Sequence, residues 1–180
     1  LFAKLFSTRE ELDSFMRVSW NVDEWNEPLD RGDTLEDTRQ SMLARYPSLE
    51  REINAYFTRY LETIGSPDYE MVKLLYDLQR AGYATFGLTN WGLETFLPVM
   101  RNLHFFNTFN GIVISGMEKI VKPDPRIYKI LLERYSLIAD ETVFIDDREV
   151  NLVPAQKLGI HTVHFITAEQ VREELKLMKI

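Results

Sequence analysis

From Tyr83 onward the sequence alternates short apolar segments rich in β-branched and aromatic residues with longer amphipathic ones. "YATFGLTN", "GIVIS", "TVFIDD" and "HTVHFIT" are the strand-like runs. Helical patterns over 93–103, 124–135 and 149–158 separate them, and a last one over 168–178 carries a Thr167 and Gln170 cap pair. Strands that alternate with helices pair in parallel, because each return to the sheet needs a crossover. The pattern therefore predicts a doubly wound, Rossmann-like parallel α/β sheet covered on both faces. In such sheets ligands sit beyond the carboxyl ends of the strands. Those ends carry Thr89-Asn90, Ser115, Asp146-Asp147 and Thr167, so polar residues gather on one crest. A helix predicted over 68–80, ending at Gly82, leads into the first strand with no parallel strand ahead of it to cross over from. One strand of the sheet is expected to be missing from the sequence.

Residues 1–66 read as helices without a strand. Thr8 and Glu11 have capping-box spacing, Leu12, Phe15 and Met16 share one face, and so do Leu49, Ile53, Phe57, Tyr60, Leu61 and Ile64. Between them "WNVDEWNEPLDRGD" is rich in turn formers and reads as a loop. Gly65-Ser66-Pro67 closes the segment, with a new helix starting at Pro67. The division expected is a helical domain over 1–66 and an α/β core over 67–180.

Thr89 and Asn90 end a strand and precede "WGLETF". As Thr and Asn they suit a helix cap; a hydroxyl and backbone amides at a helix N-terminus also hold phosphoryl oxygens. Lys122 lies in "VKPDPRIY", where two prolines stiffen the loop. It is either a solvated loop lysine or a cation able to pair with an anionic nucleophile and an incoming phosphate at once. Asp146 and Asp147 are either an acidic cap for the next helix or part of a cation site. Successive strand side chains point to opposite faces, so one of the two is expected to bind a cation directly and the other to support it. Asn151, on the next turn, then supplies a further oxygen or fixes a bound water. Mg²⁺ suits this set, since it keeps several waters and uses few protein carboxylates alongside a substrate phosphate. His161 and His164, three apart on a strand, point to opposite faces and read as structural. Trp20 and Trp25 suit packing, while the "EWNEPLDRG" loop, with Trp25 and Arg31, is placed to reach over the crest and touch substrate.

Composition excludes several classes of function. A net charge of −7 and the absence of a basic stripe argue against a nucleic-acid partner. No apolar run approaches the ~20 residues that span a bilayer. The chain has no cysteine, which removes thiolate zinc sites and cysteine nucleophiles and suits a reducing cytoplasm.

"FGLTN", Lys122 in "VKPDPRIYK" and "VFIDDREVN", in this order, resemble the second, third and fourth motifs of the haloacid dehalogenase-like hydrolase superfamily. The likeness is closest to bacterial phosphatases with a helical cap, including sugar-phosphate phosphatases of the glucose 1-phosphate type. The resemblance implies a Mg²⁺-dependent phosphatase acting on a small phosphorylated metabolite through an aspartyl-phosphate. Thr89 and Asn90 would bind the phosphoryl group, Lys122 would hold nucleophile and phosphate, and Asp147, supported by Asp146 and Asn151, would bind Mg²⁺. Residues 1–66 would be an inserted cap that sets specificity. Members of the superfamily begin with a central strand ending in Asp-x-Asp, whose first Asp attacks phosphorus. The sequence contains no Asp-x-Asp. The nucleophile is therefore expected upstream of Leu1. The other readings carried forward are a non-catalytic binding or scaffold protein and a metal-independent haloacid dehalogenase.

Overall fold

A computed structural model describes all 180 residues, Leu1 to Ile180. The N-terminal part is helical: α1 (Arg9–Val18), α2 (Val22–Asp30), α3 (Leu35–Arg45) and α4 (Glu50–Thr58), followed by a single 3₁₀ turn at Tyr60–Thr63. Thr8 and Glu11 form the expected reciprocal capping box on α1. The segment expected to be a loop is instead α2. Asn21 caps it by accepting the Glu24 N–H, and Val22, Trp25 and Leu29 repeat at helical spacing. Pro28 sits inside this helix, late enough that the missing N–H interrupts one bond without ending it. The predicted long helical face over 49–64 is broken at Arg59, whose backbone leaves the helical region, and Leu61 turns out to solvent. Met16, expected on the apolar face of α1, is also exposed, because Phe15 takes the inward position. One cluster binds these helices together: Phe2, Phe15, Trp25, Leu29, Met42, Ile53, Tyr56 and Phe57.

The remaining chain alternates as the pattern requires: α5 (Tyr69–Arg80), β1 (Phe86–Thr89), α6 (Leu93–Asn102), β2 (Gly111–Ile114), the short α7 (Ser115–Glu118), α8 (Pro125–Arg134), β3 (Val143–Asp146), α9 (Glu149–Lys157), β4 (His161–His164) and α10 (Ala168–Leu177). Asp68 caps α5, so that helix starts at Tyr69 and not at Pro67. The strands are shorter than the apolar runs that announced them. All pairing is parallel, but the strands form two pairs, β1 with β2 and β3 with β4, and not one continuous sheet. Each of β1 and β3 thus has one edge unpaired, and their apolar residues stay only partly buried. The pleat still sorts side chains between two layers. Phe144 packs with Val113, Ile127, Tyr128 and Leu131 beneath α8. Its neighbours Val143 and Ile145 pack with Leu74, Val163, Val171 and Leu175 beneath α5 and α10.

The helical segment meets the strand crest at a seam of glycines. A Cβ on Gly92 would lie 2.7 Å from the Leu29 Cβ, and one on Gly116 would lie 2.8 Å from the Leu93 N. Gly32, whose φ of +99° excludes most side chains, comes equally close to the Gly116 carbonyl. Backbone therefore packs on backbone where α2 ends, and no side chain fits between. Gly116→Ala should lower stability by about 1–3 kcal/mol through this overpacking, read as a fall in melting temperature. Gly65→Ala, where nothing lies within 4 Å, serves as the control and should be nearly neutral.

Candidate active site

β3 delivers Asp146 to the crest, and the rest of the site is organised around its carboxylate. Asp146 is 7% exposed. Its Oδ2 accepts from the Lys122 ammonium at 2.6 Å, and its Oδ1 accepts from the Arg148 N–H at 2.9 Å and the Asn151 amide at 2.8 Å. Both oxygens are thus satisfied by charge-assisted bonds, the condition on which a carboxylate is tolerated away from water. Lys122 is not a solvated loop lysine: its side chain is 10% exposed and its ammonium lies 5.4 Å from the centre of the Phe144 ring. Asn90 fixes the lysine's main chain from both sides, donating to the Lys122 carbonyl at 2.9 Å and accepting from its N–H at 2.7 Å. The Lys122–Pro123 peptide is cis, and beyond it Asp124 caps α8 with Pro125 in the first turn. Ser115, fully buried at the end of β2, accepts from the Trp91 N–H at 2.9 Å and so pins the turn that follows Asn90.

Five of the residues selected from sequence therefore converge: Asn90, Lys122, Asp146 and Asn151 in one network, with Thr89 half-buried beside it. The Asn90 side chain positions Lys122 and is not directed at a phosphoryl group, which corrects the expectation for that amide. Asp146 also bears on the reading as an acidic helix cap, since its Oδ1 accepts from the N–H of Arg148, the residue just ahead of α9. Asp147 lies outside the network. β3 ends before it, its side chain is exposed, and its carbonyl accepts from the His164 ring at 3.0 Å. His161 bonds a different carbonyl, that of Asp140, in keeping with a structural role for both rings. Arg31 is exposed at the end of α2 and pairs with Glu27. Trp25 is 1% exposed, edge-on to Trp20 and Tyr56 and stacked on Phe57. It is a packing residue, and the expectation that it touches substrate is corrected: once "EWNEPLDRG" becomes a helix, its largest apolar side chain turns inward.

No three acidic or histidine side chains converge in one place. The donors at the crest are all oxygen, with one exposed carboxylate and one already neutralised by Lys122 and hydrogen-bonded by Asn151. That set fits a hard cation which takes few protein ligands and retains water, as Mg²⁺ does, with Asp147 the side chain free to hold it. It does not fit a thiolate- or imidazole-bound metal.

Two further charged residues were not selected from the sequence. Arg148 follows the aspartate pair and lies 3.7 Å from Asp23 of α2, bridging crest and helical segment. Asp30 ends α2 against Gly92. Burial pushes its carboxyl up to about 7; the Gly92 N–H draws it down, and the Asp23 and Glu27 charges push it up further. The i, i+4, i+7 spacing of Asp23, Glu27 and Asp30 was the signal, masked because the segment read as a loop. Tyr128, also buried, donates to the Asn151 carbonyl at 2.7 Å, and burial followed by the Asp146 charge raises its pKa.

Lys122→Ala would leave the Asp146 carboxylate buried without its counter-charge and should cost about 3–5 kcal/mol. Pairing it with Asp146→Asn should recover most of the loss in a denaturant titration. Asp30 should make stability fall as pH rises from about 4 to about 7, because the folded state keeps a proton that the unfolded chain releases near 3.8. Asp30→Asn should remove that slope. At pH 8 it should be the more stable form by on the order of 1–2 kcal/mol, allowing for the group's partial exposure, and at pH 3 the two should melt together.

A family model described as haloacid dehalogenase-like hydrolase matches residues 29–165. The sesquiterpene phosphatase astK of Aspergillus oryzae is 32% identical over 61% of this chain and 56% of its own length. The glyceraldehyde 3-phosphate phosphatase of Pyrococcus furiosus is 28% identical over 62% of this chain and 45% of its own. The chain spans about half the length of these curated relatives. Among solved structures, a haloacid dehalogenase family enzyme from Bacteroides thetaiotaomicron, in complex with magnesium and inorganic phosphate, superposes with a TM-score of 0.66. It is 25% identical over 91% of this chain and 82% of its own. With a family model matching residues 29–165, this chain belongs to the haloacid dehalogenase-like hydrolases.

Proposed function

We propose that the protein is a Mg²⁺-dependent phosphatase of small phosphomonoesters. The observation that carries this reading is the Lys122–Asp146 pair, a cation held by a buried carboxylate at the carboxyl ends of parallel strands. The phosphatases among its relatives and the magnesium and phosphate complex of its structural neighbour support it. In this reading Asn90 fixes the Lys122 main chain, Asp146 fixes its ammonium, and the free face of that ammonium meets the phosphate. The Thr89 hydroxyl and the N–H groups of the following turn donate to the remaining phosphoryl oxygens. Asp147 holds Mg²⁺, and Asp146 with Asn151 shapes the loop that presents it. When bound, the cation offsets the repulsion between an anionic nucleophile and an anionic phosphate, roughly 4 kcal/mol per charge pair at 4 Å and an effective dielectric of 20. The attacking group is an aspartate of the Asp-x-Asp segment that the family resemblance requires and that these 180 residues do not contain. Residues 1–66 act as the cap and residues 67–180 as the catalytic core.

In the full natural protein, EDTA should abolish release of phosphate from an aryl phosphate, and Mg²⁺ should restore it. A metal-independent dehalogenase would be indifferent to EDTA, and a non-catalytic relative would release nothing in either condition. Asp147→Asn should lower kcat by about 100-fold or more. It should also lose the rise in melting temperature that Mg²⁺ gives the unmodified protein. Retention of both would remove Asp147 from the metal site.

A further inference from the structure

Of the two carboxylates at the end of β3, Asp147 is the one that no ion pair holds. The last backbone bond between β3 and β4 runs from the Phe165 N–H to the Asp146 carbonyl at 2.9 Å and stops one residue short of it. Beyond that point Asp147 makes a single hydrogen bond with the rest of the chain: its carbonyl accepts from the His164 ring at 3.0 Å. A carbonyl only accepts, so the His164 Nε2 carries the hydrogen. The other ring nitrogen, Nδ1, faces the start of α9, 3.6 Å from the Glu149 Oε1.

The ring is itself held in place. His164 pairs with Asp146 in the register of β3 and β4. The Gln170 amide donates to the His164 carbonyl at 3.0 Å, while its Oε1 accepts from the Ile166 and Thr167 N–H groups at 3.0 and 3.4 Å. The side chain that closes the capping box of α10 thus also fixes the backbone from which the ring projects. His161 supplies a comparison within the same strand. Its Nε2 also bonds a carbonyl at 3.0 Å, that of Asp140, but from the start of β4, the end away from the crest. The two bonds are alike in type and length, and only that of His164 ends on a residue of the crest.

This bond bears on where the Asp147 carboxylate points. β3 holds the chain ahead of the Asp147 Cα and His164 holds the carbonyl after it, so the direction of the Cβ is fixed from both sides. Mg²⁺ demands near-ideal octahedral geometry at about 2.0–2.1 Å, and a ligand free to swing binds it less well. We infer that His164 is a positioning residue for the cation site, its ring holding the Asp147 main chain so that the carboxylate is aimed at Mg²⁺. The inference rests on the phosphatase reading above, in which Asp147 holds the cation, and adds a residue that the reading does not use.

The test uses the full natural protein and two readouts. One is the Mg²⁺ concentration that gives half-maximal release of phosphate from an aryl phosphate; the other is the rise in melting temperature that Mg²⁺ gives in the absence of substrate. His164→Leu keeps a side chain suited to a strand but removes the donor. It should raise the half-maximal Mg²⁺ concentration by about tenfold or more and shrink the melting-temperature rise at a fixed Mg²⁺ concentration. His164→Gln returns an amide N–H to the position of Nε2 and should recover most of both responses. His161→Leu removes the matching bond at the other end of β4 and should leave both Mg²⁺ responses unchanged, whatever it does to the melting temperature without Mg²⁺. His164→Asn, polar but too short to reach the carbonyl, repeats the loss should the leucine variant fold poorly. Unchanged Mg²⁺ responses in His164→Leu and His164→Asn, an equal loss in His161→Leu, or a loss that glutamine does not recover overturns the positioning role and leaves the phosphatase reading intact. No Mg²⁺-dependent release by the unmodified protein, or an undiminished Mg²⁺ response in Asp147→Asn, overturns that reading and the inference with it.

Discussion

The Lys122–Asp146 ion pair is the contact on which the crest depends. Removing a carboxylate and an ammonium from water is costly, and the pair is stabilised because both carboxylate oxygens are satisfied: Asn151 and the Arg148 N–H complete the carboxylate, and the Phe144 face lies under the ammonium. The strands are joined in two separate pairs. Asn90, after β1, grips the Lys122 loop, and Lys122 grips Asp146 at the end of β3. Side-chain chemistry thus holds the ends of β1 and β3 in register where no backbone ladder does. The atoms that make this structural link are the same ones that the proposed function places against phosphate.

The glycine seam sets the second constraint. Because Gly32, Gly92 and Gly116 carry no Cβ at the junction, α2 comes down directly onto the turn that follows Thr89 and Asn90. That approach brings the acidic face of α2 to the crest and buries Asp30 against the Gly92 amide. Leu35 and Glu94 repeat the arrangement in reverse, the Glu94 carboxylate accepting from the Leu35 N–H at 2.6 Å at the start of α3. Each segment thus supplies a carboxylate to a helix start of the other, where the unpaired N–H groups and the helix dipole favour negative charge.

The alternation of strand and helix was legible in the sequence because its physical cause is local. "GIVIS" and "TVFIDD" are apolar at the short spacing only a buried parallel strand can use, and Thr167 with Gln170 caps α10 through bonds within four residues. Thr89, Asn90, Lys122, Asp146 and Asn151 could be selected because each ends a strand, follows one closely or lies in a proline-stiffened turn, and strand ends in a parallel sheet share one side. α2 was not legible. "DEWNEPLDRG" contains proline, asparagine and glycine, which favour turns, and only the pocket formed by Phe2, Phe15 and Tyr56 makes a helix with Trp25 inside the better arrangement. With that helix misread, the acidic face of Asp23, Glu27 and Asp30 could not be seen either.

By itself the sequence determined which residues reach the crest, since strand polarity and side-chain alternation follow from the covalent chain. It also excluded thiolate chemistry, since the chain has no cysteine. Tertiary structure alone decided what each residue does there. Asp146 turned inward to Lys122 while Asp147 turned out, because β3 ends between them and only one carboxylate can occupy the buried side. Asn90 became a brace for Lys122 because the lysine loop, thirty-two residues away in sequence, returns beside it. Asp30 acquired its raised pKa only when burial at the end of α2 removed its carboxyl from water. Such effects depend on desolvation and on neighbours distant in sequence, and neither is encoded in the spacing of residues along the chain.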